Sequence, residues 1–324
     1  MELLEKLTRC YSPSGREDKI RELISAEMEP YVTDVFTDPM GNLICRKKGN
    51  GKRLMFAAHM DEIGFMVTNI DDNGFLRFTN VGGISPYNSV NRSVIFENGT
   101  VGVISYEKSV KDLSLDKMYI DIGAADRAEA EGKVSIGDMA GYNEDFSLMG
   151  GCAAAKSMDD RVGCYALIKA VQQAKDCPND LYAVFTVQEE LGLRGAKTAS
   201  YNVEPDMGIA VDVSMVGDTP ESAKHSLSLG KGPGIKLKDA SFIIHPKARD
   251  FMLRAAKEAE IPYQLEAAAF GGTDAGAIHL SGGGVPSGTI SIPTRYIHSP
   301  REVVNLTDVK NTVKLITKMI EIGI

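Results

Sequence analysis

Imidazoles and carboxylates recur at the ends of apolar runs in this chain. His59 and Asp61 follow Leu54-Met55-Phe56-Ala57-Ala58, Glu189 and Glu190 follow Leu181 to Val187, and Asp212 follows Met207 to Val211. Asp159 and Asp160 stand just ahead of a helical pattern that begins near Arg161, and His298 sits in Arg295-Tyr296-Ile297-His298-Ser299-Pro300. Nitrogen and oxygen donors without thiolate suit several first-row divalent metals. Short, continuously apolar runs suit strands buried on both faces, and open α/β sheets bind ligands at the carboxyl ends of their strands. Several acids converging on such a crevice need cations or protons to offset their burial. Singly, each piece has an ordinary explanation. His59 could bond a nearby acid, and Glu189-Glu190 could be a solvated strand end, because adjacent strand residues face opposite sides. Asp159-Asp160 could simply favour a helix dipole. The set and its positions carry the inference.

The elements that must position these residues alternate in type. The first stretch reads as helix, and Ser14 with Glu17 three positions on forms a capping-box pattern that opens a second helix running to about Met28. Strands at Val32 to Phe36 and Leu43 to Lys47 flank Asp38-Pro39-Met40-Gly41-Asn42, a turn sequence. From Ile63 to about Leu148 short strand-like runs are punctuated by Asp71-Asp72-Asn73-Gly74, Val81-Gly82-Gly83 and Glu97-Asn98-Gly99, with one brief helical piece near Ala124 to Ala130. That texture predicts a small β-barrel. Helix and strand alternate again after Lys156. The economical reading is an α/β chain: a helix-covered sheet built from residues 1–62 and 149–324, interrupted by a barrel at 63–148.

Bulk properties exclude several classes of protein. With 44 acidic against 36 basic residues, the net charge of -8 argues against nucleic acid or an anionic membrane as partner. No run approaches the roughly 18 apolar residues of a membrane span. Charges in Met1-Glu2-Leu3-Leu4-Glu5-Lys6 interrupt what a secretory signal would need, so the cytoplasm is the expected location. The 5 cysteines are odd in number and lack C-x-x-C spacing, which fits neither a disulfide framework nor a thiolate zinc site.

Taken in order, Ala57-Ala58-His59-Met60-Asp61-Glu62-Ile63-Gly64, Lys156-Ser157-Met158-Asp159-Asp160-Arg161, Gln188-Glu189-Glu190-Leu191-Gly192, Asp212, Gly271-Gly272-Thr273-Asp274 and the His298 segment closely resemble the tetrahedral aminopeptidases. That family groups zinc or cobalt peptidases of glutamyl, leucyl and lysyl preference, some of them named endoglucanases, and the resemblance spans essentially the whole chain. It implies a three-layer α/β/α metallopeptidase domain with an inserted barrel that mediates dimerisation. It further implies two divalent ions per subunit. Asp159 would bridge them, His59 and Asp212 completing one site and Glu190 and His298 the other. Asp61 would orient His59 from behind, as carboxylates commonly do for ligand histidines. Glu189 would be the general base for a metal-activated water, acting on short peptides with a free amino end. A cis Asp159–Asp160 peptide and a dodecamer built from dimers are implied too.

Three carboxylates against four positive charges leave room for one water-derived anion, which supports keeping Glu189 outside the ligand set. His225, His245 and His279 fall outside the matched positions and are expected to be structural or exposed, and Gly271-Gly272-Thr273-Asp274 is expected beside the substrate. A glycosidase using Glu189 and a second carboxylate leaves the histidines unexplained and sits poorly with a chain that has no tryptophan. Removal of an acyl group from an amino acid would use the same metal site. A scaffold that has lost its chemistry would have no need of Glu189. Side-chain preference is carried by no recognisable motif.

Overall fold

A computed structural model of the chain describes residues 1–108, 111–223 and 225–324. Its frame is an eleven-stranded sheet among the described residues. The centre runs Asp180–Thr186, Arg53–His59, Met207–Met215 and Ser287–Arg295, all mutually parallel. Alternation along these strands explains why they read as unbroken apolar runs. Leu54, Phe56 and Ala58 enter the larger core, while Met55 and Ala57 enter a second core on the opposite face. Leu181, Ala183 and Phe185 divide from Tyr182 and Val184 in the same way. Successive side chains point to opposite faces of a strand, so covering both faces requires apolar residues at every position. Helices Met158–Gln173 and Leu306–Ile322 cover one side, and Arg194–Val203 with Ala275–Ile278 covers the other. The three-layer α/β/α expectation holds.

Between His59 and the sheet strand Ser147–Met149 the chain builds a closed barrel. Its strands follow the order Gly64–Ile70, Leu76–Val81, Met118–Asp121, Val101–Tyr106, Ser93–Phe96 and Met139–Tyr142. Phe65 anchors the barrel core, with edge-on contacts to Phe78 at 5.1 Å and Tyr142 at 5.2 Å between ring centroids. Leu148 belongs to the large sheet, paired with Ala153, and lies outside the barrel.

One local expectation fails for an instructive reason. The second helix starts at Asp18, with Glu17 at the N-cap and no side-chain cap bond. Ser14 Oγ instead donates to Asp61 Oδ2 at 2.6 Å, and Glu17 Oε1 accepts from the Gly15 and Gln188 amides at 2.6 and 3.3 Å. Both residues of the apparent capping box serve the strand-end crevice.

Candidate metal centre

Parallel strands run in register, so residues toward their carboxyl ends converge: His59 closes its strand, Glu189 and Glu190 lie just beyond theirs, and Asp212 lies within a strand that runs on past the expected Val211 to Met215. Thr186 is in register with His59, and Asp212 with Ser291. Two groups of three residues have ligand atoms within 4.8 Å of one another: His59, Asp159 and Asp212, and Asp159, Glu190 and His298. Asp159 belongs to both. Its Oδ1 lies 3.0 Å from His59 Nε2 and its Oδ2 lies 3.3 Å from His298 Nε2. Asp212 Oδ1 stands 3.9 Å from His59 Nε2, and Glu190 Oε1 stands 3.1 Å from His298 Nε2. Glu189 Oε2 comes within 4.0 Å of His59 Nε2 without joining either group. The Asp159–Asp160 peptide is cis.

The electrostatics show a crevice that demands positive charge. Burial, reinforced by neighbouring carboxylates, lifts Asp212 to about 8 and holds Glu189 well above the ordinary carboxylate range. Glu190 is raised for the same reasons. Burial works against the charged form of His298, yet the Asp159 and Glu190 carboxylates prevail and lift it to about 12. Asp159 is also deeply buried, and the two imidazoles hold it below its usual range. Acids that are expensive to ionise alone, gathered around two imidazoles, form a donor set that fits divalent cations with a nitrogen and oxygen preference.

Asp61 is the hub of the strand-end loops. Its Oδ1 accepts from the Glu189 amide at 3.0 Å, and its Oδ2 accepts from Ser14 Oγ and, at 3.3 Å, from the Glu190 amide. His59 Nδ1 lies 3.2 Å from the Asp61 carbonyl oxygen and 3.5 Å from its carboxylate. The ring is therefore steered by backbone and side chain of the same residue. Behind the candidate ligands, Asp160 Oδ2 accepts from the His59 amide at 3.2 Å and its Oδ1 from the Gly163 amide at 3.2 Å. A Cβ at Gly163 would collide with that carboxylate.

Two supports receive no role from the sequence, although Glu62, Lys156 and Arg161 lie within the matched segments. Glu302, 2% exposed, accepts from the Asp159 amide at 2.8 Å through Oε2 and from the His298 amide at 2.7 Å through Oε1. Burial and the charge of Asp159 push it up to about 8, but two N–H donors facing two oxygens serve the ionised form. Glu62 forms a buried cluster with Lys156 Nζ at 2.5 Å and Arg161 Nη2 at 4.0 Å, fixing the segment that leads into Asp159.

The centre opens into a cleft of about 380 Å³. The barrel supplies part of its rim: a Cβ at Gly82 would stand 2.9 Å from Glu190 Oε2, and one at Gly83 would stand 2.8 Å from His298 Nδ1. The sequence marks these glycines only as a turn, but they also permit close approach. Gly271 and Gly272 line the cleft as expected, while Asp274 is buried and accepts from Thr186 Oγ1 at 2.5 Å. His225 joins neither group of candidate ligands. It is half-buried on the cleft wall, edge-on to Phe270 with 5.9 Å between ring centroids. His245 caps the helix Pro246–Glu258, and His279 Nδ1 bonds the Ala275 carbonyl.

A helix-covered sheet whose strand ends gather two histidines and several acids around one cleft is the architecture of a metal-dependent hydrolase. The chain belongs to the M42 glutamyl aminopeptidase family, whose model matches residues 41–315, and it is an aminopeptidase, a hydrolase of peptide bonds. A protein of Acetivibrio thermocellus with a provisional aminopeptidase description is 51% identical over 98% of each chain. The lysyl aminopeptidase of Pyrococcus furiosus is 36% identical, covering 99% of this chain and 96% of its own. The Pyrococcus horikoshii TET1 peptidase, which can assemble into a tetrahedron or a large octahedral shell, superimposes with a TM-score of 0.89 at 33% identity over 99% of each chain. Among the described residues no helix is long and apolar enough to cross a membrane.

Proposed function

We propose that this aminopeptidase uses two metal ions to remove residues one at a time from the free amino end of short peptides. The observation that carries this reading is the membership of Asp159 in both groups of candidate ligands. His59 and Asp212 would complete one site, and Glu190 and His298 the other. Bound there, two divalent cations, zinc or cobalt in our reading, supply Lewis acidity and lower the pKa of a water. Glu189 takes a proton from that water and returns it to the leaving amine, a task suited to a buried carboxylate with raised proton affinity. Asp61 holds the His59 ring and the backbones of both glutamates, so that base and ligands keep a fixed relation.

Residues 1–62 with 149–324 act as the catalytic domain in this reading, and 63–148 as the dimerisation domain. Val101 and Val103, 50% and 44% exposed on one barrel strand, offer apolar surface for a partner, and dimers would assemble into a dodecamer. Cysteines without disulfide partners fit a cytoplasmic location. The test is release of amino acids from unblocked and N-acetylated peptides, before and after chelation and with zinc, cobalt or manganese restored. Release confined to unblocked peptides, lost with the metal and regained with it, is expected. Release that persists after exhaustive chelation overturns the reading.

A further inference from the structure

One wall of the cleft is made of main chain. The strand Met207–Met215 is accompanied on one side by Ser287 to Thr294, which pair with Gly208 to Met215. On its other side Arg53–His59 pairs only with Met207 to Ala210. Among the described residues no strand covers Val211 to Met215 on that second edge. Asp212, Val213, Ser214 and Met215 all line the cleft. Side chains of a strand alternate between its two faces, so a strand that showed the cleft one face would contribute every second residue. Consecutive residues meet the cleft because the strand turns its open edge toward it.

One ladder bond fixes which groups that edge presents. The Gly208 amide donates to the Pro286 carbonyl at 3.1 Å, toward the fully paired side. In a parallel ladder the N–H and C=O of a residue face the same neighbour, and the side alternates from residue to residue. The main-chain groups of Ser214 therefore face Ser287–Arg295, and those of Val213 and Met215 face the cleft. The Val213 amide already donates to Asp212 Oδ1 at 2.7 Å. The Val213 carbonyl and the Met215 amide remain, an acceptor and a donor spaced to bond both main-chain groups of one residue in an added parallel strand.

We propose that the peptide substrate completes this edge as a short parallel strand, so that its main chain beyond the scissile bond is part of what the enzyme recognises. The proposal rests on the aminopeptidase reading. With the first residue beside Asp212, a candidate ligand at the inner end of the edge, the peptide runs outward past Met215, which is 46% exposed. Both strands advance about 3.3 Å per residue, which sets the third residue of the peptide opposite Ser214. Its N–H donates to the Val213 carbonyl, and its carbonyl accepts from the Met215 amide. By the same alternation the amide of the fourth residue points away. Pairing of this kind adds affinity without reading side chains, which suits an enzyme that shortens peptides stepwise.

The test measures kcat/KM for tetrapeptides X-Ala-Ala-Ala in the metal-restored enzyme, X being the residue released fastest from dipeptides X-Ala. The parent is compared with peptides N-methylated at the third or the fourth residue, and with one carrying an ester between the second and third residues, which removes the N–H without adding bulk. Both changes at the third residue should lower kcat/KM by roughly threefold to tenfold, the usual net effect of one neutral hydrogen bond. The loss should lie mainly in KM, and methylation at the fourth residue should have little effect. On the enzyme, Met215→Pro removes the facing N–H at a strand end where proline is tolerated. It should lower the ratio of kcat/KM for X-Ala-Ala-Ala to that for X-amide by a similar factor. If that variant does not fold, the substrate analogues on wild type decide alone. An ester analogue that turns over like its parent, or equal losses from methylation at the third and fourth residues, overturns the added strand and leaves the aminopeptidase reading standing. No release of X from any unblocked peptide overturns both.

Discussion

Replacing Glu302 with glutamine keeps the volume and shape of the side chain but removes one of its two acceptors. Both oxygens are occupied, at 2.8 Å by the Asp159 amide and at 2.7 Å by the His298 amide. Glutamine satisfies one N–H with its carbonyl and must turn its own NH2 toward the other. A buried hydrogen bond to a charged acceptor contributes about 1.5–3 kcal/mol, so Glu302→Gln should displace one ligand backbone at a cost of that order. Expressed as metal affinity this is roughly tenfold to 150-fold, at 1.4 kcal/mol per factor of ten. The loss should fall unequally. His298 belongs to one group of candidate ligands and Asp159 to both, so in the proposed two-metal reading an ion at Glu190 and His298 should weaken more than one at His59 and Asp212. Zinc titration calorimetry on the demetallated protein, with bound metal counted after dialysis against graded chelator, reads this directly. Two ions retained with wild-type affinities in a folded Glu302→Gln protein would refute the positioning role.

Glu189→Gln should leave both ions bound and lower kcat by about 10²- to 10⁴-fold, the usual contribution of a general base; full activity in stopped-time assays of amino acid release would dismiss Glu189 from that role. Glu62→Gln leaves Lys156 and Arg161 buried without their counter-charge and should cost about 3–5 kcal/mol in urea unfolding at neutral pH. Burial opposes ionisation of Glu62, but the two cations prevail and hold it below the ordinary glutamate range. Its stabilisation is therefore complete above the unfolded-state value of about 4.3 and disappears as the pH falls through the lowered one. The difference between wild type and variant should accordingly narrow on acidification, and a difference that stays constant down to about pH 2 would contradict the assignment.

The part of the centre that can be read from residues alone is the part that chain geometry makes local. His59, Glu189, Glu190 and Asp212 each follow an apolar run, and parallel strands deliver such positions to one edge. Asp159 and Asp160 stand out through their pairing; why a glycine must follow at 163 is explained only by the Asp160 carboxylate that the fold places where its Cβ would be. The supports leave no comparable trace. Glu302 acts on amides 143 and 4 residues away, and no periodicity encodes contacts of that kind. Ser14 and Glu17 do leave a pattern, but the wrong one, because a serine and a glutamate three residues apart satisfy a helix start and a strand-end loop equally well. Lys236 Nζ and Glu266 Oε1 lie 3.2 Å apart on the neighbouring strands Gly234–Lys238 and Gln264–Ala267, a buried pairing that depends on a parallel register only the folded sheet reveals.

The barrel's contribution to the rim bears on how the molecule can be divided. Gly82 and Gly83 project from an inserted body onto Glu190 and His298, so neither half owns the centre. Excising the insert would spare every candidate ligand and still leave the cleft open on one side. Lengthening the Val81-Gly82-Gly83 loop, or giving either glycine a side chain, should likewise impair turnover without altering a candidate ligand. A barrel grafted from another source would therefore have to present the same close-approaching glycines to Glu190 and His298, which makes the insert a wall of the cleft and not a detachable accessory.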